Sequence, residues 1–140
     1  GVAMNIAGGT HHAYTDHGEA FCMLNDQAIA ARYLQSKNLA NKILIVDLDV
    51  HQGNGTAEIF KNDTSVFTFS MHGESNYPFK KEKSDLDIAL TKGIADGEYL
   101  SILKKTLPQL IENFQPNVVW VVVILQILRQ LYKLMQILFV

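Results

Sequence analysis

The sequence predicts an α/β fold, a parallel sheet flanked by helices, and two observations carry that reading. Ile43-Leu44-Ile45-Val46, Val66 to Met71 and Val118 to Leu125 are short, largely apolar runs with β-branched residues, as in strands buried on both faces. Between them lie stretches whose apolar residues recur at helical spacing, so strand and helix alternate along the chain.

Taken in order, Gly8-Gly9-Thr10 reads as a turn leading into His11 and His12, and a polar loop runs on through Gly18. Phe21 to Gln35 predicts a helix, with Ala28, Ala31 and Leu34 facing inward. The strand at 43–46 follows, then a turn marked by Gly53 and Gly55 and a short helix over Thr56 to Lys61. The strand from Val66 ends at His72-Gly73. Glu74 to Thr91 is polar and predicts a long surface loop of the kind that shapes a substrate mouth. Leu100, Leu103, Leu107, Leu110, Ile111 and Phe114 predict another helix, which Pro108 should kink or split. After the strand at 118–125, Gln126, Arg129, Gln130, Lys133 and Gln136 fall on one helical face, with Ile127, Leu131, Leu134 and Leu138 on another. Arg129 and Lys133 argue against a membrane span there, since each would cost about 2.5–3.5 kcal/mol near a bilayer centre.

Composition narrows the function classes. Hydrophobic residues make up 48% and charged residues 19%, as in a globular domain with a core. A net charge of -2 leaves no electrostatic footprint for direct binding to nucleic acid or anionic lipid. The single cysteine, Cys22, excludes an internal disulfide and a cysteine-built zinc site, and suits a reducing, cytoplasmic setting. The chain opens without methionine and without a basic-then-apolar leader, and Val2 to Ala7 already reads like domain interior, so an internal piece is expected.

The chemistry concentrates in Asp47-Leu48-Asp49-Val50-His51-Gln52-Gly53-Asn54-Gly55, directly after an apolar strand. Alternation along a strand would put Asp47, Asp49 and His51 on one side, at the carboxyl end of the sheet where ligand sites collect. Two carboxylates that close repel and are costly to desolvate, and a bound cation resolves both problems. Asp49 and His51 would then ligate a borderline metal such as zinc, against the plain alternative of a solvated strand end. Adjacent His11 and His12 could shuttle protons near neutrality, although a buried, backbone-bonded histidine is commoner; the carboxylate strand is what gives them weight.

Gly9-Thr10-His11-His12-Ala13, Phe21-Cys22-Met23-Leu24-Asn25-Asp26, Asp47 through Thr56, and Phe69-Ser70-Met71-His72-Gly73 resemble, in sequence and order, the zinc-dependent histone deacetylases. The resemblance implies an incomplete arginase/deacetylase-like domain. Residues 1–119 would be its central part and residues 120–140 an apolar tail departing from the family pattern. It implies hydrolysis of acetyl-lysine in a protein, or of a related acetylated small amine, with Zn2+ on Asp49 and His51. His11 and His12 would be the catalytic pair, His12 the main base and acid, with Asp47 behind His11 and Asn54 behind His12. Phe21 and Tyr77 would wall an acyl-lysine tunnel. A structural monovalent cation such as K+ would sit near Asp47, Asp49, His51 and Ser70.

Two departures stand out. Ala20 occupies a place where many members have glycine. The family's third zinc ligand, an Asp in a Gly-x-Asp segment, aligns with neutral Gln126, and the later tyrosine that stabilises the oxyanion has no counterpart. Residues 1–140 alone are therefore expected to be inactive, with a non-catalytic acyl-lysine-binding pseudoenzyme or a non-functional truncated product as the alternatives. A ureohydrolase of the same fold would need an Asp where Gly53 stands, and a metallophosphoesterase would need a later Gly-Asn-His. Among other residues, His17 reads as solvated, His72 as a polar strand end, Cys22 as a small buried hydrophobe, and Lys80, Lys81 and Lys83 as a solvated face.

Overall fold

Ile43–Asp47 forms strand β1, and every one of its residues is buried. A strand with no solvent face must have a neighbour on each edge and a helix layer on each side. Both conditions are met in the computed structural model, which describes residues 1–3 and 9–122. The elements run α1 (Asp26–Ser36), β1, α2 (Asn54–Phe60), β2 (Val66–Gly73), β3 (Leu86–Leu90), α3 (Asp96–Phe114) and β4 (Val118–Val122). The sheet order is β3-β2-β1-β4, with all pairings parallel; Ile43 stands opposite Val66 on one side and Val118 on the other.

Alternation along β1 then assigns the two layers. Leu44 and Val46 join Phe69, Met71 and Leu90 beneath Leu103 and Leu107 of α3. Ile43 and Ile45 face the other way, packing with Val66, with Ala28 and Ala31 of α1 and with Phe60 of α2. Asp47, two residues beyond Ile45, therefore emerges on the α1/α2 side at the carboxyl edge of the sheet. There β1 separates β2 from β4, which is where open α/β sheets place their ligands.

Several sequence expectations shift. The first helix begins at Asp26, not Phe21, because Asn25 caps it by accepting a hydrogen bond from the Ala28 N–H at 3.0 Å. The expected loop at 74–91 contains β3, an edge strand pairing Leu86 with Phe69 and Leu90 with Gly73. Pro108 neither splits nor ends α3, which runs unbroken from Asp96 to Phe114. The carbonyl Pro108 leaves without an N–H partner belongs to Lys104, an exposed residue. The third strand is described as far as Val122, so the expected helix over 126–138 lies outside the described residues. Among the described residues, no helix is long and apolar enough to cross a membrane.

Candidate functional site

The site is built from three segments that converge on the end of β1. Asp47 closes the strand, and its Oδ1 accepts the Asp49 N–H at 3.0 Å; Asp49 Oδ1 in turn accepts the His51 N–H at 2.7 Å. These two successive side-chain turns, and not strand alternation, carry the chain from Asp47 to His51. The expected shared strand face is thus replaced by a coil in which each carboxylate fixes the next backbone amide. Asp47 still turns inward and Asp49 and His51 still lie together, with His51 Nδ1 3.1 Å from Asp49 Oδ1.

The histidine segment docks on α2. Thr56 N–H donates to the His11 carbonyl at 3.1 Å, and Asn25 Nδ2 donates to the Ala13 carbonyl and to Thr56 Oγ1, each at 3.0 Å. Gly55 makes the close approach possible, since a Cβ there would lie 2.6 Å from both the Ala13 and His12 carbonyl carbons. On its other side the Asp26 carboxylate accepts Gly9 N–H at 3.1 Å and Thr10 N–H at 3.0 Å, steering the chain into the pair.

Each histidine has one defined partner. His11 Nδ1 lies 2.5 Å from Asp47 Oδ2, and His12 Nδ1 lies 2.7 Å from Asn54 Oδ1. An amide oxygen can only accept, so His12 carries its proton on Nδ1 and leaves Nε2 bare. Burial pushes His11 towards neutrality, but the charge and hydrogen bond of Asp47, with Asp49 and Asp26 beyond, more than reverse it and hold its pKa above the ordinary value. His12 is pushed the other way, by burial first and then by neighbouring His11 and His51, against the bond to Asn54. One ring is thus favoured as a cation and the other as a neutral base, with centroids 4.1 Å apart.

Tyr77 closes one side, its ring edge-on to His12 at 5.0 Å and 6.3 Å from His51. Phe21 does not share that packing. It is 102% exposed, so only the Tyr77 wall meets the histidines. His12 and His51 stand 6.0 Å apart between centroids. Residues not foreseen from sequence complete the surroundings. Glu19 and Tyr14 both accept from Asn54 Nδ2, at 2.6 and 3.1 Å. Buried Gln52 pins the 76–84 loop through the Glu82 backbone and Asp87. An acid in a loop or a lone glutamine has no sequence signature of its own; the one signal is a neutral Asn behind a basic ring, whose amide N–H groups need acceptors.

Asp49 and His51 are the donors that could hold a metal. Two ligands of one tetrahedral zinc, each at about 2.0–2.2 Å, lie roughly 3.4 Å apart, close to the 3.1 Å between this oxygen and nitrogen. The His51 side chain is 39% exposed, leaving room for exchange with solvent. Among the described residues no third His, Cys, Asp or Glu joins them. Ser70 stands opposite Asp47 in register and bonds His72 Nδ1 at 2.9 Å, so buried His72 has a partner within its own strand. His17 is exposed and Cys22 buried, as read from sequence.

Comparison with known proteins agrees with this fold. The histone deacetylase domain family matches residues 1–124. An uncharacterised protein of Picosynechococcus sp. is 55% identical over 120 residues, taking in 86% of this chain and 40% of its own length. Histone deacetylase 2 of Arabidopsis thaliana is 32% identical over 122 residues, 85% of this chain and 32% of its own. Acetoin utilization protein AcuC of Staphylococcus aureus is 31% identical over 134 residues, 85% and 34% respectively. The crystal structure of an HDAC homologue from Aquifex aeolicus superposes with a TM-score of 0.74 at 33% identity, covering 84% of this chain and 35% of that one. A structure of an HDAC homologue complexed with SAHA matches equally well. The chain thus spans 40% or less of the length of these curated relatives.

Proposed function

The chain belongs to the histone deacetylase family, and from its residues we propose a zinc-dependent hydrolase that removes acetyl groups from protein lysines or related small amines. The observation that carries the proposal is a pair of buried histidines, His11 bonded to Asp47 and His12 to Asn54, beside the Asp49–His51 donor pair. Asp49 and His51 would hold zinc, which when bound would polarise the acetyl carbonyl and acidify a water. His12, with Nδ1–H committed to Asn54, would take the water's proton on Nε2 and return it to the departing amine. His11, held on Asp47, would keep His12 neutral and place positive charge beside the developing negative charge. Tyr77, and Phe21 once a substrate covers it, would flank the acyl chain.

Zinc-loaded protein turning over a fluorogenic acetyl-lysine peptide, with a loss of about 10²–10⁴-fold in His12→Ala, is the expected result. Turnover indifferent to His12→Ala would overturn the proposal. Gln126 supports a second reading for residues 1–140 taken alone. A neutral amide in the place of a ligand carboxylate would leave zinc weakly held and turnover near background. Tight stoichiometric zinc, found by elemental analysis, would remove that reading.

A further inference from the structure

Asn54 poses a question the proposed mechanism leaves open. A base is best oriented by a carboxylate, which fixes the tautomer and stabilises the imidazolium formed on proton uptake. An amide does the first only if it cannot flip, and does not do the second. The groups around Asn54 answer both points. Its Nδ2 has two acceptors, Glu19 Oε1 at 2.6 Å and the Tyr14 hydroxyl at 3.1 Å, while its Oδ1 takes the His12 Nδ1–H at 2.7 Å. Turned over, the amide would set its oxygen against a carboxylate and its N–H groups against an N–H. Only one orientation is tenable, and Glu19 enforces it.

Glu19 is itself firmly held. Glu19 and Cys22 exchange backbone hydrogen bonds at 3.0 and 2.9 Å, closing a four-residue turn. The Tyr77 hydroxyl donates to the same Oε1 that receives Asn54. The bond from Tyr77, with that from Asn54, holds the carboxyl below its usual range against partial burial, so it is ionised at neutrality.

We propose that Glu19 is a positioning residue for His12, supplying through Asn54 the negative charge that Asn54 lacks, and coupling the Tyr77 wall to the base through one shared oxygen. The assignment rests on reading His12 as the base. It makes Asn54 and Glu19 one divided unit, in which the amide carries orientation and the acid carries charge. A direct carboxylate at position 54 would then make Glu19 superfluous, and indeed harmful, since two acids at hydrogen-bond distance resist ionising together.

The test uses the full chain, with 15N-labelled histidine, in the Glu19→Ala, Asn54→Asp and doubly substituted forms. In the parent, His12 should show a protonated Nδ1 and bare Nε2. Glu19→Ala should turn this into a mixture of tautomers and lower kcat by about 10–100-fold. In the Asn54→Asp background the same Glu19→Ala change should raise kcat and leave the Nδ1–H form intact. An unaltered His12 tautomer in Glu19→Ala, or equal kcat losses in both backgrounds, overturns the inference. Absence of turnover in residues 1–140 alone, which the Gln126 reading expects, bears on the deacetylase reading only; the nitrogen spectra decide the role of Glu19 on their own.

Discussion

The floor and the rim of the site obey opposite rules. On the floor, His11, His12, Asp47 and Asn54 are buried polar groups, and each has a partner from a different stretch of chain. At the rim, Phe21 at 102% and Phe79 at 93% exposure are apolar side chains with little to pack on, with Met23 and Leu24 also exposed beside Phe21. Desolvating a polar group costs several kcal/mol unless it is bonded, so the floor exists only when the fold brings its segments together. The rim costs the folded chain little and gains its burial from whatever binds. Substitution on the floor should therefore injure stability and chemistry together, while substitution at the rim should separate them.

The largest expected effect is at Gly55, where the floor meets backbone. A methyl group would lie 2.6 Å from two carbonyl carbons of the His12-Ala13 segment, and backbone cannot swing aside as a flexible side chain can. Gly55→Ala should destabilise by about 3 kcal/mol or more, read as a lowered urea midpoint at unchanged slope. A variant within 1 kcal/mol of the parent, on the scale of about 1.4 kcal/mol per tenfold, would mean the segment is not clamped as described.

Asp47→Asn tests the charge on the floor while keeping its shape, and should cost about 2 kcal/mol at neutral pH. It should also change the pH dependence. The pKa of His11 is raised above 6.5, so its pairing stabilises fully below about pH 6.5 and is lost as pH rises through the folded value. That of His12 is lowered, so its contribution is present above about pH 6.5 and is lost as pH falls towards its folded value. Together they favour a stability maximum close to the ordinary histidine pKa. Asp47→Asn should flatten the alkaline limb, a change that chemical denaturation across pH 5–9 would resolve. Parallel curves for parent and variant would rule out the charged pair.

These contrasts also mark what the sequence could disclose. The floor was legible in part because a buried strand that closes on Asp47, followed at once by Asp49 and His51, leaves few physical solutions, and the strand and the adjacent histidines are local signals. Glu19 was not, because its meaning depends on Asn54, 35 residues away. Strand β3 was legible in principle, since Leu86, Ile88 and Leu90 alternate with Asp87 and Ala89. The surrounding polar run hid a strand that borders solvent on its outer edge and is fixed by pairing with β2. Asp47 to His51 is the reverse case: side-chain turns bring Asp49 and His51 together where strand alternation was expected to do so.

At the rim, Ala20 gives a smaller effect of opposite sign. Its φ is 51°, in the left-handed region, at the first central position of the turn closed by Glu19 and Cys22. Glycine adopts that conformation without steric cost, whereas the Cβ of Ala20 incurs one. Ala20→Gly should stabilise by about 0.5–1 kcal/mol, seen as a higher melting temperature; a lower one would place the strain elsewhere.

Phe21 should give the smallest change in stability and the clearest separation of the two regions. A side chain with no packing in the free chain leaves no cavity when removed, so Phe21→Ala should alter unfolding free energy by less than about 0.5 kcal/mol. On the proposed function its ring would gain contact when an acyl chain lies against it, with Tyr77, edge-on to His12, as the other wall. Burying part of an aromatic ring on binding is worth on the order of 1.4 kcal/mol, so KM for an acetyl-lysine peptide should rise about tenfold while kcat stays near that of the parent. If Phe21→Ala instead lowered the melting point by several degrees with KM unchanged, Phe21 would be packing in the free protein, and the rim would be part of the fold in the same sense as the floor.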